Sequence, residues 1–474
     1  MREVIIFYVN GERNEIKGND AFLMLAEWLR KKRLLTGTKV VCAEGDCGAC
    51  TVMLGIPIAS GQLKYEPRNS CILPLFNLDG KHVVTVEGLK KNNELNPIQL
   101  SVARHGGAQC GYCTPGIVMA ITAIFEQHAR PTEEQFRSGL TGNLCRCTGY
   151  DGILRAALAI DAGQVNKLDY YWNIPAMKSE LAKISLDPLA IKNDNTFIYM
   201  PTSWENLLQT KADHNQAVMV AGATDIGVSL NKGYSQNRKF ISLARIPNID
   251  TIGINDDVVE VCANVSLSQF ETFCVQHIPS IGKFMKFFAA AQIKNSATLV
   301  GNIANASPSS DTLPFLSVLD ADIEIVGING NRRLNINHYF LDYKKTALKA
   351  DEIISKVSFA KPKSDAHLIL YKVSRRMYMN IATVSAAFLV EKQKNMITNF
   401  KVAFGGVAAF VKRLPAVEKF MQGKEFSIAN IEHATKCALQ TYTPLSDVRG
   451  SKQYREMLIT NLFKKLYIEM EANG

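Results

Sequence analysis

Eight of the eleven cysteines lie before residue 150, in two groups whose spacing suits metal chemistry. In "CAEGDCGAC", Cys42, Cys47 and Cys50 stand at C-x4-C-x2-C, and Cys71 follows alone. This spacing suits a 2Fe-2S cluster. The loop must wrap two irons and turn its amides inward, because N–H donors offset thiolate and sulfide charge, and Gly45 and Gly48 let the backbone come close. Structural zinc is the competing reading, but zinc sites usually pair two C-x2-4-C knuckles. The second group is Cys110 and Cys113 in "QCGYCTPG", then Cys145 and Cys147 in "NLCRC". Its spacing alone suits zinc as well as a cluster. Its placement favours a cluster: Thr114-Pro115 opens a predicted helix and Cys147 precedes another, and helix N-termini present amides and a positive dipole end to anionic sulfur. Two clusters in one chain would carry an electron between sites rather than store it. Cys262, Cys274 and Cys437 stand apart and are expected to be small buried hydrophobes.

The elements that must position these residues fall into segments. Residues 1–85 predict a small α+β domain, with strands in "VIIFYV", "ACTVML" and "HVVTV" and a hairpin turn at Asn10-Gly11. Between them "AFLMLAEWLRKKRLL" carries Phe22, Leu25, Ala26 and Leu29 on one helical face, with Asp20 placed to cap it. Residues 86–165 predict an all-helical unit: "PGIVMAITAIFEQHA", "EEQFRSGL" and "GILRAALAIDA". A polar stretch at 166–195 is expected to be an irregular linker. Strands alternate with helices over 196–375, and 376–474 pairs two strands with long helices near 427–441 and 451–470. No internal repeat or low-complexity segment occurs.

Two loops in the middle of the chain, at 218–228 and 301–314, suit a dinucleotide. "VMVAGATDIGV" is a strand and turn with Gly222 and Gly227; it is not G-x-G-x-x-G, so a Rossmann reading is unsupported. "GNIANASPSSDTLP" is rich in small and hydroxyl residues that can cradle a pyrophosphate. An ordinary strand–turn–helix and an ordinary polar loop remain the alternatives.

"CAEGDCGACTV", "QCGYCTPG" and "NLCRCTGYDGI" together resemble the iron–sulfur portion of the xanthine dehydrogenase family of molybdenum hydroxylases, over roughly residues 1–165. The resemblance implies a β-grasp plant-type ferredoxin domain and a helical domain, each holding one 2Fe-2S cluster. The second cluster would lie next to molybdopterin, with Gln109 and Cys147 facing the pterin. Residues 196–474 resemble that family's FAD portion, of the vanillyl-alcohol-oxidase type, closed by a C-terminal α/β domain. That implies diphosphate contacts from Ala221, Gly222, Ala223, Thr224, Asp225 and Ile226. It implies further FAD contacts from Thr298, Gly301, Asn302, Ser307 and Asp311, with Phe288 near the isoalloxazine and Lys412 a late contact. Asn305 and Val300 depart from common family residues. Tyr378 and Asn380 in "SRRMYMNIATV" stand where many relatives are acidic, which bears on the electron acceptor.

The 474 residues leave no room for a molybdenum domain, so the chain is expected to be the small subunit of a split enzyme of the bacterial type. It would partner a molybdopterin-binding large subunit in a hetero-oligomer and pass electrons to NAD. A stand-alone iron–sulfur flavoprotein reductase is the alternative. The start, "MREVIIFYVNGERNEI", has no apolar signal region, and a reducing, cytoplasmic setting follows as the expectation. No run of about 18 apolar residues suggests a membrane span. The net charge of +10 is scattered, without the concentrated basic face that nucleic acid requires.

Overall fold

The computed structural model describes residues 1–184, 186–193 and 195–472. The backbone gathers into two compact units: Met1–Pro247 with Ala290–Ala297, and Asn248–Ala289 with the chain from Thr298 onward.

The first unit opens with β1 (Ile5–Val9), wholly buried, and β2 (Glu12–Ile16). Asn10 and Gly11, both at positive φ, form the hairpin turn between them. With β3 (Thr51–Pro57), β4 (Leu63–Asn69) and β5 (His82–Val84) they make a five-stranded sheet, ordered β2-β1-β5-β3-β4. The β1–β5 pair is parallel and the others antiparallel. The expected first helix is split. A 3-10 turn, Gly18–Phe22, precedes α1 (Leu25–Lys31), whose N-cap is Met24. Asp20 therefore does not cap it; its carbonyl instead accepts from the Leu23 N–H. Phe22, Leu25, Ala26 and Leu29 are all buried as the periodicity requires.

Four helices follow. They are α2 (Pro97–Arg104), α3 (Thr114–Gln127), α4 (Glu133–Gly139) and α5 (Asp151–Leu158). Reciprocal side-chain and backbone bonds between Asn96 and Gln99 start α2, and the same bonds between Thr132 and Gln135 start α4. The segment expected as an irregular linker is instead structured. It forms α6 (Leu168–Tyr171), α7 (Pro175–Ile184) and β6 (Leu189–Lys192). Leu168, Met177 and Leu181 enter the core that holds α3, and Leu189 and Ile191 join the core of β1 and α1, while Tyr170 and Leu186 stay exposed. The unit continues through β7 (Phe197–Met200), α8 (Trp204–Asp213), β8 (Val218–Val220), α9 (Thr224–Asn231) and β9 (Lys239–Ser242). Its second sheet runs β6-β7-β9-β8.

The second unit holds a five-stranded antiparallel sheet of Ile252–Asn255, Val258–Cys262, Ile353–Ala360, Asp322–Gly327 and Gly330–Asn335, in that order. A four-stranded antiparallel sheet follows, built on His367–Val373, Val384–Gln393 and Met396–Gly405. Helices Ile428–Thr441 and Lys452–Ala472 cover it through Phe388, Phe404, Ile431, Phe463 and Leu466. Strand His367–Val373 belongs to this sheet, so the expected boundary near 375 falls just after a strand already committed to it.

In the first sheet His82 is fully buried. The Gly11 N–H donates to its Nε2 at 3.1 Å, so its proton sits on Nδ1, which faces the Tyr65 hydroxyl at 2.6 Å. Burial pushes its pKa down to about 3. The folded chain keeps this imidazole neutral, whereas the unfolded chain protonates it below pH ~6.5. Stability is thus full above that pH and declines as pH falls toward 3, by about 2 kcal/mol at pH 5. We expect wild-type denaturant midpoints to drop between pH 7 and 5 more steeply than those of His82→Gln.

Candidate metal and flavin sites

The first four cysteines converge. Cys42 contacts both Cys47 and Cys71 through sulfur, and Cys71 contacts Cys50. Ala43, Gly45 and Gly48 take positive φ, which folds the loop inward. The Glu44 and Cys47 amides then reach the Cys42 sulfur, the Ala49 amide that of Cys47, and the Cys71 amide that of Cys50. Contact with Cys47, then Cys71, holds the Cys42 thiol well below its ordinary range, while the same contacts push Cys47 and Cys71 up. The four sulfurs stand close enough to bond one another, a donor set that a cation would hold as thiolates. Cys50 and Cys71 are buried with Ala26 and Ile72, flanked by Val40, Val228 and Ile293.

The second four converge as two pairs, Cys110 with Cys147 and Cys113 with Cys145. The Tyr112 amide, then Cys147, lowers the Cys110 thiol. Burial and then Cys145 raise Cys113 to about 12. Cys113 is the N-cap of α3, and the Thr114 hydroxyl beside it is buried without a partner. Among the described residues no set of three side chains is arranged to chelate a single ion. Paired thiols, inward amides and an unpaired hydroxyl donor at Thr114 fit two-iron clusters better than one zinc. Cys110, Cys147, Gln109, Tyr112 and Tyr150 are all exposed on this face. Cys274 is buried as expected, while Cys262 and Cys437 are only partly so.

The two cysteine loops touch. The Leu144 N–H donates to the Cys47 carbonyl at 3.0 Å, and Asn143 Nδ2 to the Gly48 carbonyl at 3.0 Å. A Cβ on Gly116 of α3 would overlap the Gly48 carbonyl oxygen. On its other side the first loop meets α9: Asn231 Nδ2 donates to the carbonyls of Ala43, at 2.9 Å, and Cys71, at 2.7 Å.

The opposite end of α9 is the first flavin loop. Ala223, left-handed at φ 58, is its N-cap, and no side chain caps it. Thr224 opens the helix at its positive end, a place that suits a diphosphate. Ala221 and Gly222 lead into this turn. A Cβ at Gly222 would overlap the Ser296 carbonyl oxygen, so glycine lets two stretches of backbone approach there.

The second loop lies in the other unit, which also carries Phe288 and Lys412. Thr298 and Gly301 bond each other, the Gly301 N–H donating to Thr298 Oγ1 at 2.9 Å. Asn302 Oδ1 accepts from the Ser310 and Thr312 hydroxyls. Ser307 Oγ lies 3.4 Å from Ser309 Oγ. Asp311 is buried and pairs with Lys372 at 2.7 Å, yet its Oδ1 has no partner, a buried acceptor that a ligand N–H or O–H would satisfy. Burial raises the Asp311 pKa despite Lys372. Lys372 Nζ, 5.8 Å from the centre of the Phe288 ring, also donates to the Phe287 carbonyl. Tyr378 stacks on Phe287, with centroids 5.8 Å apart. The Lys412 carbonyl accepts from the Tyr442 hydroxyl at 2.5 Å, while its side chain is exposed. Sequence reasoning missed Lys372; a lone lysine within a strand carried no signal.

Three families match successive parts of the chain. They are the 2Fe-2S binding domain over residues 85–158, the FAD binding domain in molybdopterin dehydrogenase over 191–362, and the CO dehydrogenase flavoprotein C-terminal domain over 369–470. Xanthine dehydrogenase of Emericella nidulans is 31% identical over 98% of this chain and 38% of its own length. Aldehyde oxidase 1 of Bos taurus is 28% identical over 98% of this chain and 39% of its own. The chain thus spans about two fifths of these relatives. Among solved structures, carbon monoxide dehydrogenase from Hydrogenophaga pseudoflava aligns with a TM-score of 0.54 at 22% identity, over 56% of this chain and 94% of that one. Quinoline 2-oxidoreductase from Pseudomonas putida 86 aligns at 0.53 and 21%, over 57% and 94%. The chain belongs to the molybdenum hydroxylase family of oxidoreductases. Within it, this chain carries 2Fe-2S and FAD-binding domains in a mixed α/β architecture of the CO dehydrogenase type.

Proposed function

We propose that this chain is the electron-transfer subunit of a xanthine dehydrogenase-like enzyme, taking electrons from a molybdopterin-binding partner subunit through two 2Fe-2S clusters to FAD and then to NAD. The observation that carries it is the gathering of eight cysteines into two quartets, one at the C-terminal end of α9 and one on an exposed face. When bound, the clusters and flavin supply the one- and two-electron chemistry. The chain's own residues hold thiolates in pairs, aim amides at sulfur, and present the α9 N-terminus to a diphosphate. The first sheet supports assignment to the β-grasp plant-type ferredoxin fold, and the FAD family match supports the vanillyl-alcohol-oxidase type. Exposed Gln109, Tyr112, Cys147 and Tyr150 support docking of the molybdopterin subunit at the second quartet. Among the described residues no helix is long and apolar enough to cross a membrane.

Native purification, with iron and flavin analysis and identification of the bound chains, tests this reading. About four irons per chain, one FAD and a molybdenum-bearing partner are expected. Stoichiometric zinc in a colourless protein would overturn it. For the acceptor, Arg375 and Arg376 beside Tyr378 and Asn380 make a local field that favours an anionic dinucleotide. Turnover with NAD+ is expected, and turnover with dye or oxygen alone would remove the acceptor assignment. For flavin, Thr224→Glu separates fold from ligand. An acidic side chain in the first turn of α9 favours the helix by about 0.3–1 kcal/mol but repels a diphosphate. Flavin content should fall while the melting temperature holds.

A further inference from the structure

We infer that the hydrogen bond from Leu144 to Cys47 is the electron conduit between the two cysteine quartets, and that Gln292 is the positioning residue that keeps it closed. This rests on the electron-transfer reading above. From the Cys145 sulfur the covalent chain runs through its own backbone nitrogen to Leu144. The Leu144 N–H meets the Cys47 carbonyl at 3.0 Å, and covalent bonds then lead to the Cys47 sulfur. Only one non-covalent step separates the quartets along this route. One electron leaves the second quartet's cluster, which is oxidised, and arrives at the first, which is reduced; no bond breaks and no proton moves.

A single amide–carbonyl contact between two loops stays short only if both loops are held. Three donors fix the neighbouring Gly48 carbonyl: Thr51 N at 3.0 Å, Thr51 Oγ1 at 2.6 Å and Asn143 Nδ2 at 3.0 Å. Gln292, from the helix Ala291–Lys294, joins both sides of this clasp. Its Nε2 donates to Asn143 Oδ1 at 2.9 Å and to Thr51 Oγ1 at 3.3 Å. Gln292 and Asn143 are 2% and 3% exposed, so water does not compete for these bonds. Gln292 Oε1 is buried with no partner of its own. The side chain is therefore held through its amide donor alone, at the cost of an unsatisfied acceptor, and such a cost in a native structure calls for a role. A glutamine that reaches both loops next to the bridge supplies one.

The test uses the intact holoenzyme with Gln292→Met, which keeps the volume and removes the donor, and with Thr51→Val, which opens the same clasp from the first loop. Iron and flavin content are measured first. Magnetic interaction between the two reduced clusters is then read by electron paramagnetic resonance, and electron redistribution between them by rapid-mixing absorbance. Full iron and flavin, a weakened magnetic interaction and transfer slowed severalfold in both variants are expected. The double variant should be no slower than the slower single one. Unchanged transfer with both clusters present would overturn the proposal, and so would loss of iron, which would make Gln292 a structural residue only. A wild-type protein without two cluster signals would instead sink the electron-transfer reading, and this proposal with it.

Discussion

Serine in place of Cys47 is expected to lower iron from about four to about two per chain and to erase one of two cluster signals, leaving the other intact. Cys47 ends the run of sulfur contacts that passes through Cys42 and Cys71 to Cys50, and the Ala49 amide already reaches its sulfur. A hydroxyl is a shorter and harder ligand than thiolate and does not reach or hold iron equally well. The second quartet should survive because its link to residue 47 runs through the backbone carbonyl, which serine retains. Visible absorbance and electron paramagnetic resonance of the reduced protein read both halves of this prediction. Loss of both signals together would show that the quartets assemble as one cooperative unit.

The second large effect lies one residue further on. Gly48→Ala should destabilise the chain by roughly 3–5 kcal/mol, because two separate penalties fall on one atom. Its φ of +68 costs any side chain something, and a Cβ would overlap the Gly142 carbonyl oxygen and come within 2.7 Å of Asn143 Nδ2. Both obstacles belong to the loop that carries the second quartet, so relief would require parting the two cysteine loops. Gly61 separates the contributions: its φ is +77, yet nothing lies within 4 Å of its added Cβ. Gly61→Ala should cost only about 1–2 kcal/mol. Equal melting temperatures for the two variants would show that the loops part without penalty.

The cysteine groups were legible because ligand spacing and loop glycines are local; Gly45 and Gly48, read as points of close backbone approach, take positive φ. What the sequence hid is non-local. Residues 166–195 read as a polar linker because the helices there are short: Met177, Leu181 and Ile184 keep helical spacing, but over ten residues among charged neighbours that period is easily passed over. Gly222 signals a close approach, but sequence cannot say what approaches, and the answer is the Ser296 carbonyl. Nor does sequence show that Phe287, ninety-one positions earlier, stacks on Tyr378. The four-residue helix Ala291–Lys294 has no periodicity at all, and its place in the first unit follows only from contacts such as Gln292 with Asn143 and Asn295 with the Pro67 carbonyl.

That short return of the chain, Ala290–Ala297, sets an order of events during synthesis. Translation delivers the first 247 residues, then 42 residues of the second unit, and only then the strip that completes the first. With N-terminal regions folding first as they emerge, the nascent chain exposes the Cys50–Cys71 wall that Ile293 later covers and the clasp that Gln292 later joins. At roughly 5–20 residues per second that interval lasts a few seconds. The order of synthesis would thus give a window in which the first quartet is uncovered, and a metal arriving before residue 297 emerges would meet an open door that the finished chain closes behind it.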